Sequence, residues 1–196
     1  MPSKLLGTIT GEGFNCPIRQ DQNGRVFFTA DADIDADGAN GQNGARVAYN
    51  RDNTGSEALA NGDMRIVNGQ VVFREGWGRS IVILGTNNQP RIFPGGLIAS
   101  MTWYRHPGMA VNDPAAYVDS ETVPFIVIPP LVYQRTAGVV RGCRARVTFN
   151  GRSVDGVVAD LGPRTKVGEL SIAAARAVGI PPNPRTGGRE TPRRAL

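Results

Sequence analysis

Several features that define common protein classes are scarce or absent in this sequence of 196 residues. It contains one histidine and two cysteines, so it lacks the ligand clusters of a zinc site and most nucleophilic triads. It has no GxxxxGK[ST] phosphate loop, and we therefore expect no cofactor and no metal. Its apolar runs fall short of the roughly 18 residues of a membrane-spanning helix, and its N-terminal residues lack the apolar stretch of a secretory signal.

The positive charge is concentrated at one end of the chain. The net charge is +5, and residues 185–196 carry +3 of it. Elsewhere the basic residues do not alternate with aromatic residues, and no nucleic-acid-binding motif is present. We therefore predict a single domain over residues 1–184 with no nucleic-acid partner, followed by a basic, flexible tail over residues 185–196.

The two cysteines give little information about the fold. Cys16 and Cys143 lie far apart in the sequence and match no metal-binding pattern. They are compatible either with one disulfide or with two buried thiols. No segment has the pattern of a subunit interface, so we expect a monomer.

Glycine and proline are abundant, at 25 and 14 residues. This composition argues against a helical bundle and favours a mainly β fold with many short strands joined by turns. Apolar and β-branched segments predict individual strands. They lie at residues 26–30, 71–73, 80–84, 97–104 and 125–128.

The C-terminal third predicts a hairpin and a short helix. Residues 144–149 and 153–159 alternate apolar and polar side chains around Asn150-Gly151, a strong hairpin signal. Ser171 suits the N-cap of a helix over residues 172–178, and Gly179 suits its C-cap.

Asp160 and Glu169 are the candidate catalytic pair. Asp160 ends a predicted strand, and Glu169 comes just before the helix, so their side chains could converge on one cleft. Two converging carboxyl groups are what glycosidic hydrolysis requires, and nearby cations such as Arg164 or Lys166 would keep one of them ionised. In the alternative, Asp160 caps a turn and Glu169 interacts with the helix dipole.

A second acidic group precedes residue 38. Alternation along an extended chain places four aspartates on one side: Asp31, Asp33, Asp35 and Asp37. The segment begins like a calcium-binding loop, but Gly44 stands where the twelfth-position glutamate is needed, so we exclude an EF-hand. This acidic ridge would attract a polycationic substrate, or it is a solvated loop edge.

Several of these segments together resemble the chitosanases of glycoside hydrolase family 75. The first two are residues 27–38 (FFTADADIDADG) and 118–129 (VDSETVPFIVIP). The other two are residues 156–163 (GVVADLGP) and 166–173 (KVGELSIA), continuing into residues 179–181.

The resemblance implies a mainly β fold with a six-stranded double-psi β-barrel-like core, extra strands and one or two short helices. It also implies an extracellular, inverting endo-chitosanase that cleaves β-1,4 linkages between glucosamine units. Glu169 would be the protonated donor and Asp160 the ionised base. The acidic ridge would bind the amines of chitosan or a related cationic amino-sugar polymer.

Three alternative functions remain open at this stage, and one of them is an interaction protein that uses the arginine-rich tail. The C-terminal segments are also similar to expansins, barwin-like proteins and rare lipoprotein A, which are double-psi β-barrels. These similarities allow a non-catalytic glycan-binding or wall-loosening barrel. They also allow a hydrolase of another amino-sugar polymer such as peptidoglycan.

Overall fold

A computed structural model describes residues 3–11 and 14–190, and its regular structure is mainly β, as predicted. Among these residues, neither helix has the length and apolar character needed to cross a bilayer. The first strands are β1 (Ser3–Gly11), β2 (Phe14–Asp21), β3 (Val26–Phe27), β4 (Asp33–Asp35), β5 (Tyr49–Asn50) and β6 (Met64–Val67). They are followed by β7 (Gln70–Phe73), β8 (Leu97–Ile98), β9 (Phe125–Ile128), β10 (Arg144–Phe149), β11 (Arg152–Leu161) and β12 (Glu169–Ser171). The α-helices are α1 (Pro130–Arg135) and α2 (Ile172–Val178), and short 3₁₀ turns cover Gln42–Gly44, Leu59–Gly62, Trp77–Ser80, Pro94–Gly96 and Pro114–Ala116.

The largest sheet has five strands in the order β10-β11-β9-β12-β4. Strands β11 and β9 are parallel, as are β12 and β4, whereas β10 pairs antiparallel with β11 and β12 antiparallel with β9. Within residues 3–11 and 14–190, its end strands β10 and β4 do not pair with each other, so the hydrogen-bonded sheet does not close into a barrel.

This sheet is strongly curved. Asp35 on β4 and Asp160 on β11 are three strands apart, which in a flat sheet would separate their backbones by roughly 14 Å. Yet their carboxylate oxygens lie within 4.8 Å of each other, so the sheet must bend its edge strand back over its centre. An irregularity in β11 between Val158 and Asp160 adds to this bending.

Apolar layers cover the sheet. Helix α2 packs four buried residues against Ile34 and Leu170: Ile172, Ala174, Ala175 and Val178. The two alanines among them allow the helix to approach the sheet closely. The β1–β2 hairpin forms a second cluster with Ile128, Val132 and Val158. These clusters hold the site-bearing strands β4, β9, β11 and β12 in place.

The local signals in the C-terminal third are confirmed. Asn150 and Gly151 both have positive φ, at 46° and 78°, as a tight hairpin turn requires. The Ser171 hydroxyl accepts a hydrogen bond from the Ala174 amide at 3.1 Å. Gly179 ends α2 in the left-handed conformation at φ 83°.

Elsewhere the strands predicted at residues 71–73 and 125–128 are confirmed as β7 and β9, whereas other predicted strands were wrong in extent. Of residues 80–84 only Val82 and Leu84 form bridges, and these are isolated. Of residues 97–104 only Leu97–Ile98 form a strand, and of residues 26–30 only Val26–Phe27 do. The β1–β2 hairpin and helix α1 were not predicted at all. Prolines 129 and 130 end β9 as expected, but Pro130 also begins α1, because a proline is well tolerated in the first turn of a helix.

The start of the predicted tail is attached to the body. The Arg185 guanidinium donates to the carbonyls of Asn53 at 2.7 Å and Glu57 at 3.0 Å. Ala32 and Arg189 exchange two backbone hydrogen bonds, at 2.8 and 2.7 Å. Residues 191–196 of the predicted tail lie outside the described residues.

Both cysteines are free thiols. Cys16 is buried, and its thiol donates to the carbonyl of Thr29 at 3.2 Å. Cys143 is partly buried against the same apolar cluster.

Replacing Ser171 tests how the helix is joined to the sheet. Its buried hydroxyl also accepts from the Phe125 amide and donates to the Val123 carbonyl, each at 2.9 Å. We expect Ser171→Ala to lower the free energy of unfolding by about 2–4 kcal/mol, because it leaves buried backbone groups unpaired. Urea denaturation measures this, with the exposed Ser153→Ala as control; a loss below that of the control would contradict the expectation.

Candidate active site

The strand register places the two candidate catalytic residues on one face of the sheet. Asp160 lies opposite Val127 across β11 and β9, and Glu169 lies opposite Asp33 across β12 and β4. Because Leu170 pairs antiparallel with Ile126, Glu169 falls opposite Val127 on its other side. Laterally paired residues project from the same face of a sheet, so Asp160, Glu169 and Asp33 share a face, with Val127 between the first two.

The acidic ridge shows the alternation that the sequence predicted. Ala32, Ile34 and Ala36 are buried in the core against α2, whereas the aspartates between them are half-buried on the opposite side. The apolar side chains therefore hold this strand so that its acidic side faces Asp160 and Glu169.

Three carboxyl groups meet at the centre of this face. Oxygens of Asp35, Asp37 and Asp160 all lie within 4.8 Å of one another, and we call these residues the acidic trio. In the described part of the chain no basic side chain forms an ion pair with the trio. Oδ1 of Asp37 is buried and has no hydrogen-bond partner there. A cation, either a metal ion or an ammonium group, would suit this arrangement of oxygens.

Backbone amides fix the orientation of the Asp160 and Asp35 carboxyl groups. The Trp103 amide donates to Oδ1 of Asp160 at 2.9 Å, and the Leu161 amide donates to the same oxygen at 2.7 Å. The Asp37 amide donates to Oδ1 of Asp35 at 2.7 Å. These bonds hold the trio together despite the like charges that its members carry when ionised.

Burial shifts the protonation of the trio. It raises the pKa values of Asp35 and Asp37 well above their ordinary range, and the neighbouring charges of Asp160 and Glu169 add to the effect. Burial also raises the pKa of Asp160 to about 7, against the lowering effect of its two backbone donors. Asp160 therefore holds its proton up to neutral pH.

Glu169 has a different environment. The Lys166 ammonium lies 3.0 Å from its Oε1 and 3.1 Å from Oδ2 of Asp33, so one cation bridges two carboxylates of adjacent strands. Although burial alone would lower it, these carboxylates raise the pKa of Lys166 well above its ordinary range. Glu169 is thus paired with a cation, whereas the acidic trio has none among the described residues.

The six predicted site residues divide into three groups. Asp35, Asp37 and Asp160 form the acidic trio, and Asp33 and Glu169 share Lys166. Asp31 belongs to neither group, and its buried Oδ1 has no hydrogen-bond partner within the described residues. Burial, with the charges of Asp33 and Glu190, raises the pKa of Asp31.

Sequence reasoning missed two supporting residues. The Ser120 hydroxyl donates to the carbonyl of Asp35 and accepts from the Ile172 amide at 3.0 Å, so it joins β4 to α2. The second is Trp103, whose backbone amide donates to Asp160. The centre of its ring lies 5.5 Å from that of the Tyr133 ring. Ser120 lies in a segment that the resemblance had singled out, but no local pattern indicated the contact of Trp103.

Neither a scan against protein-family models nor a search of curated proteins finds a match to this chain.

The pH dependence of stability tests the burial of Asp160. Its pKa is about 7 in the folded chain against 3.8 ordinarily, so its protonated form stabilises the fold below about pH 4 and this contribution is lost as the pH rises through 7. We expect the melting temperature to fall between pH 5 and pH 8.5, and Asp160→Asn to reduce this fall while keeping an oxygen for both backbone donors.

The control for this measurement is Asp155→Asn. Arg146 and Arg144 lower the pKa of the exposed Asp155, so its charge is constant between pH 5 and pH 8.5 and the variant should keep the parental slope. Equal slopes for Asp160→Asn and the parental protein in calorimetry would contradict a buried, protonated Asp160.

Proposed function

We propose that this protein is an endo-chitosanase, which hydrolyses β-1,4 linkages between glucosamine units by an inverting mechanism with two carboxyl groups. The observation that carries the proposal is the acidic trio, which lies on the same face as Glu169 and has no ion-pair partner among the described residues. The motif resemblance supports the same conclusion.

The charge of the face favours a cationic polymer. Chitosan presents an ammonium group on each protonated glucosamine unit, and such a group would replace the missing counter-ion of Asp35 and Asp37. Partly buried carboxylates gain more from such a partner than exposed ones do, because screening by water is weaker. A neutral glycan would offer these carboxyl groups no cation to favour their ionised forms.

The environments of the two candidate residues favour the reverse of the roles expected from the resemblance. Asp160 is the general acid, since it holds a proton up to about pH 7. Glu169 is the general base, since it is paired with the Lys166 cation. Carboxyl groups in separate environments commonly divide the two tasks in this way.

The reaction then proceeds in one displacement. Asp160 gives its proton to the glycosidic oxygen as the bond from that oxygen to the anomeric carbon breaks. A water molecule attacks the anomeric carbon from the opposite face and gives a proton to Glu169. Glu169 releases this proton to solvent and Asp160 takes one up, so that the site returns to its starting state.

Inversion requires a gap between the two carboxyl groups. In the sheet register Asp160 and Glu169 lie on either side of Val127, two strands apart. Inverting glycosidases need roughly 6.5–9.5 Å between carboxyl groups to admit a water molecule. The side chain of Val127 lies between the two residues and provides an apolar floor at this point.

The finer fold and setting belong to the same proposal. The strong curvature of the five-stranded sheet and its mixed strand directions support a double-psi β-barrel-like core. We propose a single catalytic domain over residues 1–184 that acts as a monomer on an extracellular polymer.

Removing either carboxylic acid tests the mechanism. We expect Asp160→Asn and Glu169→Gln each to reduce the release of reducing ends from chitosan by about a hundredfold or more, because each removes a proton-transfer group. The exposed Asp155→Asn and Glu75→Gln are the matched controls, and circular dichroism verifies folding. A folded variant with near-parental activity would remove its residue from the mechanism.

The same assay separates the other functions. Release of reducing ends from bacterial cell walls but not from chitosan would indicate a peptidoglycan hydrolase. Binding to polysaccharide without new reducing ends would indicate a non-catalytic barrel. Either result would overturn the proposed function.

The pH profile tests the assignment of the acid. We expect kcat at saturating chitosan to fall as the pH rises through about 7, where Asp160 loses its proton. In the residual activity of the Glu169→Gln variant this descending limb should move to lower pH, because the negative charge of Glu169 contributes to the raised pKa of Asp160. If the limb stays in place, the fall in kcat comes from deprotonation of the substrate amines, and the assignment of Asp160 as the general acid is contradicted.

A further inference from the structure

The two oxygens of Glu169 lie in different environments. Oε1 accepts a hydrogen bond from the Lys166 ammonium at 3.0 Å. Oε2 faces Gly162, where an added Cβ would lie only 2.9 Å from it. The missing side chain at position 162 therefore leaves space beside Oε2, two residues after Asp160.

Lys166 also occupies one aspartate of the acidic ridge. Its ammonium lies 3.1 Å from Oδ2 of Asp33, which is directly opposite Glu169 in the register of β12 and β4. Asp33 is thereby neutralised by a cation of the protein itself. Asp35 and Asp37 have no such partner among the described residues.

We propose that Lys166 is a positioning residue: it binds Oε1 of Glu169, leaves Oε2 as the oxygen that takes the proton from water, and uses Asp33 as its counter-ion. This inference rests on the proposed hydrolase function. In this proposal Asp33 supports the general base through Lys166. Asp35 and Asp37 are the residues that bind the ammonium groups of the substrate.

A fixed carboxylate is what this step requires. Glutamate has several rotatable bonds, and a base that rotates freely presents its lone pairs to the water in few of its conformations. The bridge to Lys166 holds the carboxylate in one orientation across two strands. Since Lys166 is a cation, it also stabilises the charged form that accepts the proton.

Several acidic groups surround Lys166 and the carboxylate that it binds. Asp33 contacts the Lys166 ammonium directly from β4. The positive charge of Lys166 also acts on Asp31 and on Glu57, whose pKa values it lowers. Asp35 and Asp160 face Glu169 from β4 and β11. Removing the ammonium would therefore leave Glu169 beside the Asp33 carboxylate without the cation that bridges them.

The central test is Lys166→Met, which keeps an unbranched side chain and removes the charge. We expect kcat on chitosan to fall at least tenfold with KM changed less than threefold, and the acidic limb of the kcat/KM profile to move to higher pH. Lys166→Arg should restore the position of the acidic limb. Arg164→Met is the matched control, because this exposed residue forms no ion pair in the described part of the chain.

Two further variants test the other parts of the proposal. Gly162→Ala places a methyl group beside Oε2 of Glu169, so kcat should fall at least tenfold while the acidic limb of the kcat/KM profile stays in place. The φ angle of Gly162 is not positive, so the backbone accepts alanine. Asp33→Asn should raise KM less than Asp35→Asn does, because Lys166 already occupies Asp33.

The outcomes distinguish this inference from the proposed function. A parental protein that releases no reducing ends from chitosan overturns the proposed function. An active parental protein with a folded Lys166→Met variant of unchanged kcat and pH profile overturns the role of Lys166 alone. If Lys166→Met does not fold, the other variants decide. A parental kcat in Gly162→Ala overturns the assignment of Oε2 as the oxygen that takes the proton. A larger increase in KM for Asp33→Asn than for Asp35→Asn overturns the role of Asp33 as the counter-ion of Lys166.

Discussion

Mutual repulsion among carboxyl groups is the constraint on which the rest of this structure depends. The sheet brings five acidic residues to one face: Asp33, Asp35, Asp37, Asp160 and Glu169. Uncompensated buried charges are costly, and the fold reduces this cost by three means. Asp160 keeps a proton, Lys166 neutralises two neighbours, and backbone amides donate to Asp35 and Asp160.

Local sequence patterns predicted the parts of the site that depend on local conformation. Backbone preferences of single residues predict the turn at Asn150-Gly151, the helix N-cap at Ser171 and the helix C-cap at Gly179. All three are confirmed. The alternation of the acidic ridge follows from the geometry of an extended strand. These patterns also predicted that Asp160 and Glu169 lie near each other, because the turn between them is short, and the register places both on one face of the sheet.

The sequence did not predict how these parts come together. Asp35 and Asp160 meet because the sheet curves across three strands, and curvature arises from packing among distant segments rather than from a local motif. The choice of Lys166 over Arg164 as the cation beside Glu169 likewise depends on which side chain points towards the face. The β1–β2 hairpin was missed because its strands mix apolar residues with glycine, proline and charged residues.

The backbone exchange between Ala32 and Arg189 has a consequence for self-association. Strand β4 is the last strand of its sheet, and a free edge of this kind is a template on which a strand from another molecule can add. The segment around Arg189 pairs with Ala32, the residue that precedes β4, and the Arg185 guanidinium holds the same segment on the body. The C-terminal segment thus covers the residue at which this edge strand begins, and we expect a chain shortened before residue 185 to leave the backbone of Ala32 open to pairing with another molecule.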